Sequence, residues 1–354
     1  MHICLKEGSV RSSIGAKKRE NLPRLIFPIF TKAKNIHTFG KSTNLNIMRQ
    51  GIFEDAHPFS KLLLTIFLMG SCYLVVFFIT ALFAIPLFNM TFSGVIDFFK
   101  IGDYNGHTGM VFFFQVTYSA GLFLFPALLA GFLIQGRSLV YLSATKSPAL
   151  FTAMLIVLLM LVAIPVINLL VKLNMDLSLP EKLSGLEERI NKAEEEAEEM
   201  MNTFLSVTSL GGLLMNLLMI SIIPAIGEEF LFRGIIQKLF TDWFRNYHVA
   251  ILITAAIFSF LHFQFLGFLP RLFLGILFGY LMVWTGSVWA PVLAHFVNNS
   301  LAVVYFYLYN KGLFHYNLDT VGSTRDTFIH AAISIVLLVI FMGGIYKREV
   351  RKAN

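Results

Sequence analysis

The sequence predicts an all-α fold: a polytopic bundle of about eight membrane helices, with one amphipathic helix outside the membrane. Three observations predict it. The 354 residues are 56% hydrophobic and only 14% charged, with a mean hydropathy of +0.71, more apolar than a water-soluble domain of this length needs. Eight apolar spans follow one another, at 62–87, 111–135, 148–171, 212–240, 249–267, 271–285, 287–308 and 328–346. Most reach the roughly 20 residues that cross a bilayer as a helix. Spans of this length argue helices rather than barrel strands, because backbone groups in lipid must be satisfied within the segment.

The chain divides into a basic tail (1–47), a block of N-terminal spans ending in an acidic helix (48–211), a polar-centred core (212–308), and a last span with a basic end (309–354). The tail carries nine Lys/Arg and two Glu, which accounts for the whole net charge of +7. Its apolar patch Leu25–Phe30 is short and interrupted by Pro28, unlike a signal-peptide core. The tail reads either as a polybasic segment touching anionic lipid, or as a disordered extension upstream of initiation at Met48. Cys4 and Cys72 lie far apart, one in the tail and one in a span, so neither a disulfide framework nor a cysteine zinc site is expected.

Orientation follows from the basic residues in the short connections. One set of ends carries Arg49, Lys61, Arg137, Lys146, Lys238, Arg245 and the cluster at 347–352. The other carries Lys100, Arg271, Lys311 and Arg325. That bias predicts both termini in the cytoplasm, with Trp243, Tyr247, Trp284 and Trp289 as interfacial anchors on the same side.

The connection after the third span is different. After Pro180, Leu183, Leu186, Ile190, Ala193, Ala197, Met200 and Phe204 recur at spacings of three and four within a strongly acidic segment. This predicts an amphipathic helix near 181–204. It can be a lid or partner-binding helix, or simply a solvated face lying on the bundle.

Chemistry concentrates in the fourth, fifth and seventh spans. Glu228, Glu229 and Arg233 interrupt a run, Gly212 to Phe240, whose only other ionisable residue is Lys238. A carboxylate at bilayer depth costs roughly 2.5–3.5 kcal/mol on insertion scales, and such residues mark functional sites. Arg233 lies four residues after Glu229, so the two share a helix face, and Glu228 is left without a local partner. Counting from the cytoplasmic boundaries at about 1.5 Å per residue, Glu228, His262 and His295 lie about 15, 20 and 12 Å deep. Asn299 shares the His295 face. A carboxylate with a histidine can deprotonate water. A second histidine and an amide can donate to the oxyanion that forms on a carbonyl. Hydrolysis of a peptide bond is the reaction class this set suits. The residues singly have plainer readings: a structural ion pair for Glu229 and Arg233, a packing histidine for His262, interhelical hydrogen bonding for Asn168, Asn216 and Gln115.

The three clusters resemble the motifs of the CAAX protease and bacteriocin-processing family, the type II CAAX prenyl endopeptidases and their bacterial relatives. The pattern Glu-Glu-x-x-x-Arg reads Glu228-Glu229 to Arg233, Phe-x-x-x-His reads Phe258 to His262, and His-x-x-x-Asn reads His295 to Asn299. The resemblance covers roughly 212–308. It implies an intramembrane endopeptidase in which Glu228 and His262 activate water, and His295 with Asn299 stabilises the oxyanion. Glu229 and Arg233 orient the site. A divalent metal such as zinc on Glu228, His262 and His295 stays open, as does a metal-free glutamate mechanism. The implied partners are the lipid bilayer and a protein or peptide substrate, lipid-modified or not, with no nucleic acid. The implied location is a bacterial inner membrane, where such proteins serve peptide maturation or self-protection. A non-catalytic scaffold or immunity protein is the alternative from a different class, and a proton-coupled transporter a third reading.

Overall fold

The computed structural model describes residues 51–101, 108–177, 180, 182 and 184–351. The basic tail, most of the segment before the acidic helix and the extreme C-terminus lie outside the described residues. Among the described residues eleven helices succeed one another: α1 Pro58–Leu87, α2 Phe92–Ile101, α3 Gly109–Gln135, the short α4 Ser138–Tyr141, α5 Leu150–Met175, α6 Ser184–Leu205, α7 Leu210–Phe244, α8 Tyr247–Phe260, α9 Phe265–Thr285, α10 Trp289–Asn310 and α11 Phe328–Arg351. No strand occurs among the described residues, so the all-α fold class is as the sequence predicts. The amphipathic helix appears as α6, at Ser184–Leu205.

Seven of these helices are long and apolar enough to cross a membrane. The expected fifth crossing at 249–267 is the exception. The chain is helical there only from Tyr247 to Phe260, 14 residues, or about 21 Å of rise. It then turns at His262 and returns through α9. Phe263 takes a left-handed backbone conformation, φ 53°, which is an outlier for a bulky side chain. α8 and α9 therefore form a hairpin whose tip, Leu261 to Phe263, is exposed. Hydropathy alone does not see this turn, because Leu266, Phe268 and Leu269 continue the apolar run beyond it.

Two helices carry π turns for a visible reason. The π segments Ala120–Leu124 in α3 and Leu217–Ile222 in α7 each end two residues before a proline, Pro126 and Pro224. A proline has no N–H to give and its ring crowds the carbonyl four residues back. A π turn shifts the hydrogen-bonding register locally, and such turns recur at functional sites. A third π segment, Phe232–Ile236, begins three residues after Glu229, so the two carboxylates sit in one regular stretch between two irregular ones.

The ends of the bundle can be traced by hydrogen bonds. Phe53 N–H donates to Leu133 O (3.0 Å), Trp289 Nε1 to Ala144 O (2.8 Å), and Val288 N–H to Ser143 O (3.2 Å). Lys238 Nζ bonds Ser143 Oγ and Tyr141 O, and Thr152 bonds Glu349. The start of α1 and the close of α11 thus lie at the same end. Gly286 turns α9 into α10 there with φ 61°, where a side chain would be strained. At the opposite end Asn310 Nδ2 donates to Leu205 O (2.7 Å), Asn216 Nδ2 to Phe204 O (2.6 Å), and Asn168 Nδ2 to Leu318 O (2.8 Å). These asparagines tie helices to backbone carbonyls of neighbouring segments.

Candidate functional site

The middle of the bundle is built around Glu229. On α7, Arg233 Nη1 donates to Glu229 Oε1 at 2.9 Å, and both side chains are 0% exposed. From α10, His295 Nδ1 reaches the same oxygen at 2.9 Å. Burying ions costs several kcal/mol each, by order of magnitude, unless partners surround them. Here they do. Arg233 Nη2 donates to Gly275 O (3.2 Å), and the guanidinium lies 4.8 Å from the Phe258 ring centroid and 5.5 Å from that of Phe278. Facing an aromatic ring favours a cation that has lost its water. The contact with Gly275 needs glycine for packing: a Cβ there would meet Ala255 Cβ at 2.9 Å, so α8 and α9 touch backbone to backbone at this point.

His295 is oriented by this arrangement. Its ring stacks on Phe278 (5.5 Å, 25°) and stands edge-on to Phe258 (6.3 Å, 88°). An ionised carboxylate only accepts, so Nδ1 carries the proton towards Glu229 and Nε2 remains for other chemistry. His262, just past the end of α8, stands edge-on to the same phenylalanine, 4.8 Å from the Phe258 ring. Its Nδ1 lies 2.7 Å from Phe258 O. A carbonyl likewise only accepts, so the neutral ring presents an unprotonated Nε2. Its side chain is exposed at the hairpin tip.

Glu228 is only half-buried, and its side chain forms no hydrogen bond among the described residues. The charged and titratable groups around it include His295, Glu229, Arg233, Arg271 and Tyr118. His262 shares His295, Arg233 and Arg271 as neighbours. Asn299 Nδ2 donates to Ile220 O at 2.9 Å, on the π segment of α7, and its Oδ1 accepts from Asn298 Nδ2 at 3.1 Å. That leaves one amide N–H of Asn299 unassigned. The structure thus brings Glu229, Arg233 and His295 into direct contact, and groups His262 and Glu228 around them through Phe258 and shared charged neighbours. Asn299 is joined to the site through the α7 backbone.

Three contributors were not legible as site residues. In sequence Arg271 reads only as a topological cation, yet it lies within the electrostatic reach of Glu228. Phe278 supplies the stacking surface for His295. Asn174, at the end of α5, brackets the hairpin tip by donating to Phe265 O (2.8 Å) and accepting from Leu269 N–H (2.7 Å). Only a polar residue at the end of an apolar run could have hinted at Asn174.

A metal fits this arrangement poorly. Among the described residues no three His, Cys, Asp or Glu side chains are grouped to hold an ion. Glu228, His262 and His295, the set left open by sequence, do not form such a group.

Residues 210–301 match the family model of the type II CAAX prenyl endopeptidase Rce1-like proteins, so the resemblance carried by the three motifs holds over that segment. An uncharacterized protein, YpbD of Bacillus subtilis (strain 168), is 29% identical over 86 residues. That match takes in 23% of this chain and 41% of YpbD, less than half of the relative's length. No solved structure gives a significant match. With its seven apolar helices, the chain is an integral membrane protein carrying an Rce1-like segment, and the family so described is one of endopeptidases.

Proposed function

We propose that this protein is an intramembrane endopeptidase that hydrolyses a peptide bond of a membrane-associated protein or peptide, lipid-modified or not. The observation that carries the reading is the buried Glu229 carboxylate holding Arg233 and His295 at one oxygen, next to a Glu228 that has no hydrogen-bond partner of its own. A bundle gains nothing in packing from such an arrangement, whereas a hydrolytic site needs an anchored histidine beside an available base.

In this reading Glu228, with the Nε2 lone pair of His262, takes a proton from water, and the oxygen attacks the scissile carbonyl carbon. The carbonyl electrons move onto oxygen. His295 and the remaining N–H of Asn299 donate to that oxyanion, with Glu229 balancing the charge on the His295 ring. Collapse of the intermediate breaks the C–N bond, and the proton held by Glu228 passes to the leaving amine. Arg233 keeps Glu229 in place and touches no reacting atom. In this reading the membrane is a bacterial inner membrane, and the basic residues at the bundle end that holds the start of α1 and the close of α11 support its cytoplasmic placement.

The test uses purified protein in proteoliposomes with a membrane-tethered peptide. Glu228→Gln should lower kcat by about 10²–10⁴-fold while the protein elutes and unfolds as wild type does. Undiminished cleavage by that variant would end the proposal. Wild-type activity should also survive a chelator; its loss, restored by a divalent metal, would require Glu228, His262 and His295 to regroup around an ion.

A further inference from the structure

The mechanism makes no use of the acidic helix α6, although one of its side chains reaches the hairpin tip. Glu194 is half-buried, whereas Glu195, Glu196, Glu198 and Glu199 beside it are exposed. Its Oε1 accepts from Leu266 N–H at 2.9 Å. Leu266 lies in the first turn of α9, directly after the short turn that begins at His262. That short turn is held from within by Arg271, which donates from Nη1 to Gln264 O (3.2 Å) and from Nη2 to Gln264 Oε1 (2.7 Å). Arg271 lies in the field of two carboxylates, Glu194 on α6 and Glu228 in the site.

We propose that Glu194 and Arg271 act as one positioning couple, through which α6 clamps the His262 turn and sets its place beside Glu228. This rests on the endopeptidase reading above and adds to it a part of the chain outside the matched segment. The physical reason is that His262 sits at a helix end, followed by Phe263 in a left-handed conformation. A strained turn persists only when its surroundings over-determine it. Neither member of the couple touches reacting atoms. Each acts through the turn: Glu194 on the backbone that directly follows it, Arg271 on the Gln264 side chain and carbonyl. The two are joined by their opposite charges across it. Of the two roles open to the amphipathic helix from sequence, the couple makes α6 a fixed strap over the hairpin.

The experiment compares Glu194→Ala, Glu194→Gln, Arg271→Gln and the double Glu194→Ala/Arg271→Gln in the full chain. Hydrogen–deuterium exchange over 261–269 and steady-state kinetics are measured side by side. Glu194→Ala and Arg271→Gln should each speed exchange in that segment and lower kcat about tenfold, with KM changed by less than about twofold. The double variant should be no slower than the worse single, because both remove the same couple. Glu194→Gln keeps an acceptor for Leu266 N–H and should regain most of the exchange protection. Unchanged exchange in Glu194→Ala, or kcat losses that multiply in the double, would overturn the proposal. So would a fall in thermal stability with kcat intact. Exchange needs no turnover, so an inactive wild type would strike the endopeptidase reading and leave the clamp to be judged by exchange alone.

Discussion

Helices α1 and α7 are both long and apolar, 30 and 35 residues, yet they solve opposite problems. In α1 only 6% of the apolar window is buried inside the protein, against 28% in α7. The buried residues of α1 are small, Thr65, Thr80, Ala81 and Ala84, while Phe67, Phe78, Leu82 and Phe83 face outwards. That is packing without a hydrophobic driving force, where small residues let helices approach and large ones meet lipid. α7 buries its large side chains, Phe230, Leu231 and Phe232, around a carboxylate and a guanidinium. The difference teaches that hydropathy says whether a helix enters the membrane, whereas the cost of buried charge says which helix must lie at the centre.

This contrast can be broken at graded strength. The largest effect is expected at Arg233. Arg233→Met leaves the Glu229 carboxylate in the interior with only His295, and should cost about 3–5 kcal/mol of stability, measured by unfolding in detergent. Adding Glu229→Gln should return part of the loss; no recovery would mean that the pair is not what sustains the centre of α7. A smaller effect belongs to Gly275, where α8 and α9 touch. Gly275→Ala should cost about 1–3 kcal/mol by overpacking against Ala255, and should loosen the carbonyl that Arg233 uses. The smallest effects test α1 with adjacent residues. Ala84→Leu, at a fully buried position, should destabilise by about 1–3 kcal/mol. Phe83→Leu, 61% exposed, should stay within about 0.5 kcal/mol. Equal effects at 83 and 84 would show that the outward face of α1 is covered by protein rather than lipid.

The fold class was legible because hydropathy sums over neighbours in the chain, and lipid enforces helices wherever that sum is high. The Glu229–Arg233 pair was legible for a similar reason, since four residues bring two side chains to one helix face. The fifth span was not: an apolar run reads the same whether it crosses the membrane or doubles back at His262. The plain reading of Glu229 and Arg233 as an ion pair was half of the picture, because His295 is the third member. Asn299 was expected to serve the oxyanion, and the structure also gives it a partner in Ile220 O, a carbonyl that no side-chain pattern announces.

By itself, then, the sequence determined which segments enter the membrane, which of them carry charge, and which family motifs those charges spell. Each is a property of residues close together in the chain. Only the tertiary structure decided that His295 takes Glu229 across 66 positions, that Arg233 takes the Gly275 carbonyl across 42, and that Glu194 reaches the first turn of α9 across 72. Contacts at such separations depend on how helices pack side by side, and the local periodicity of a helix carries no record of its neighbour.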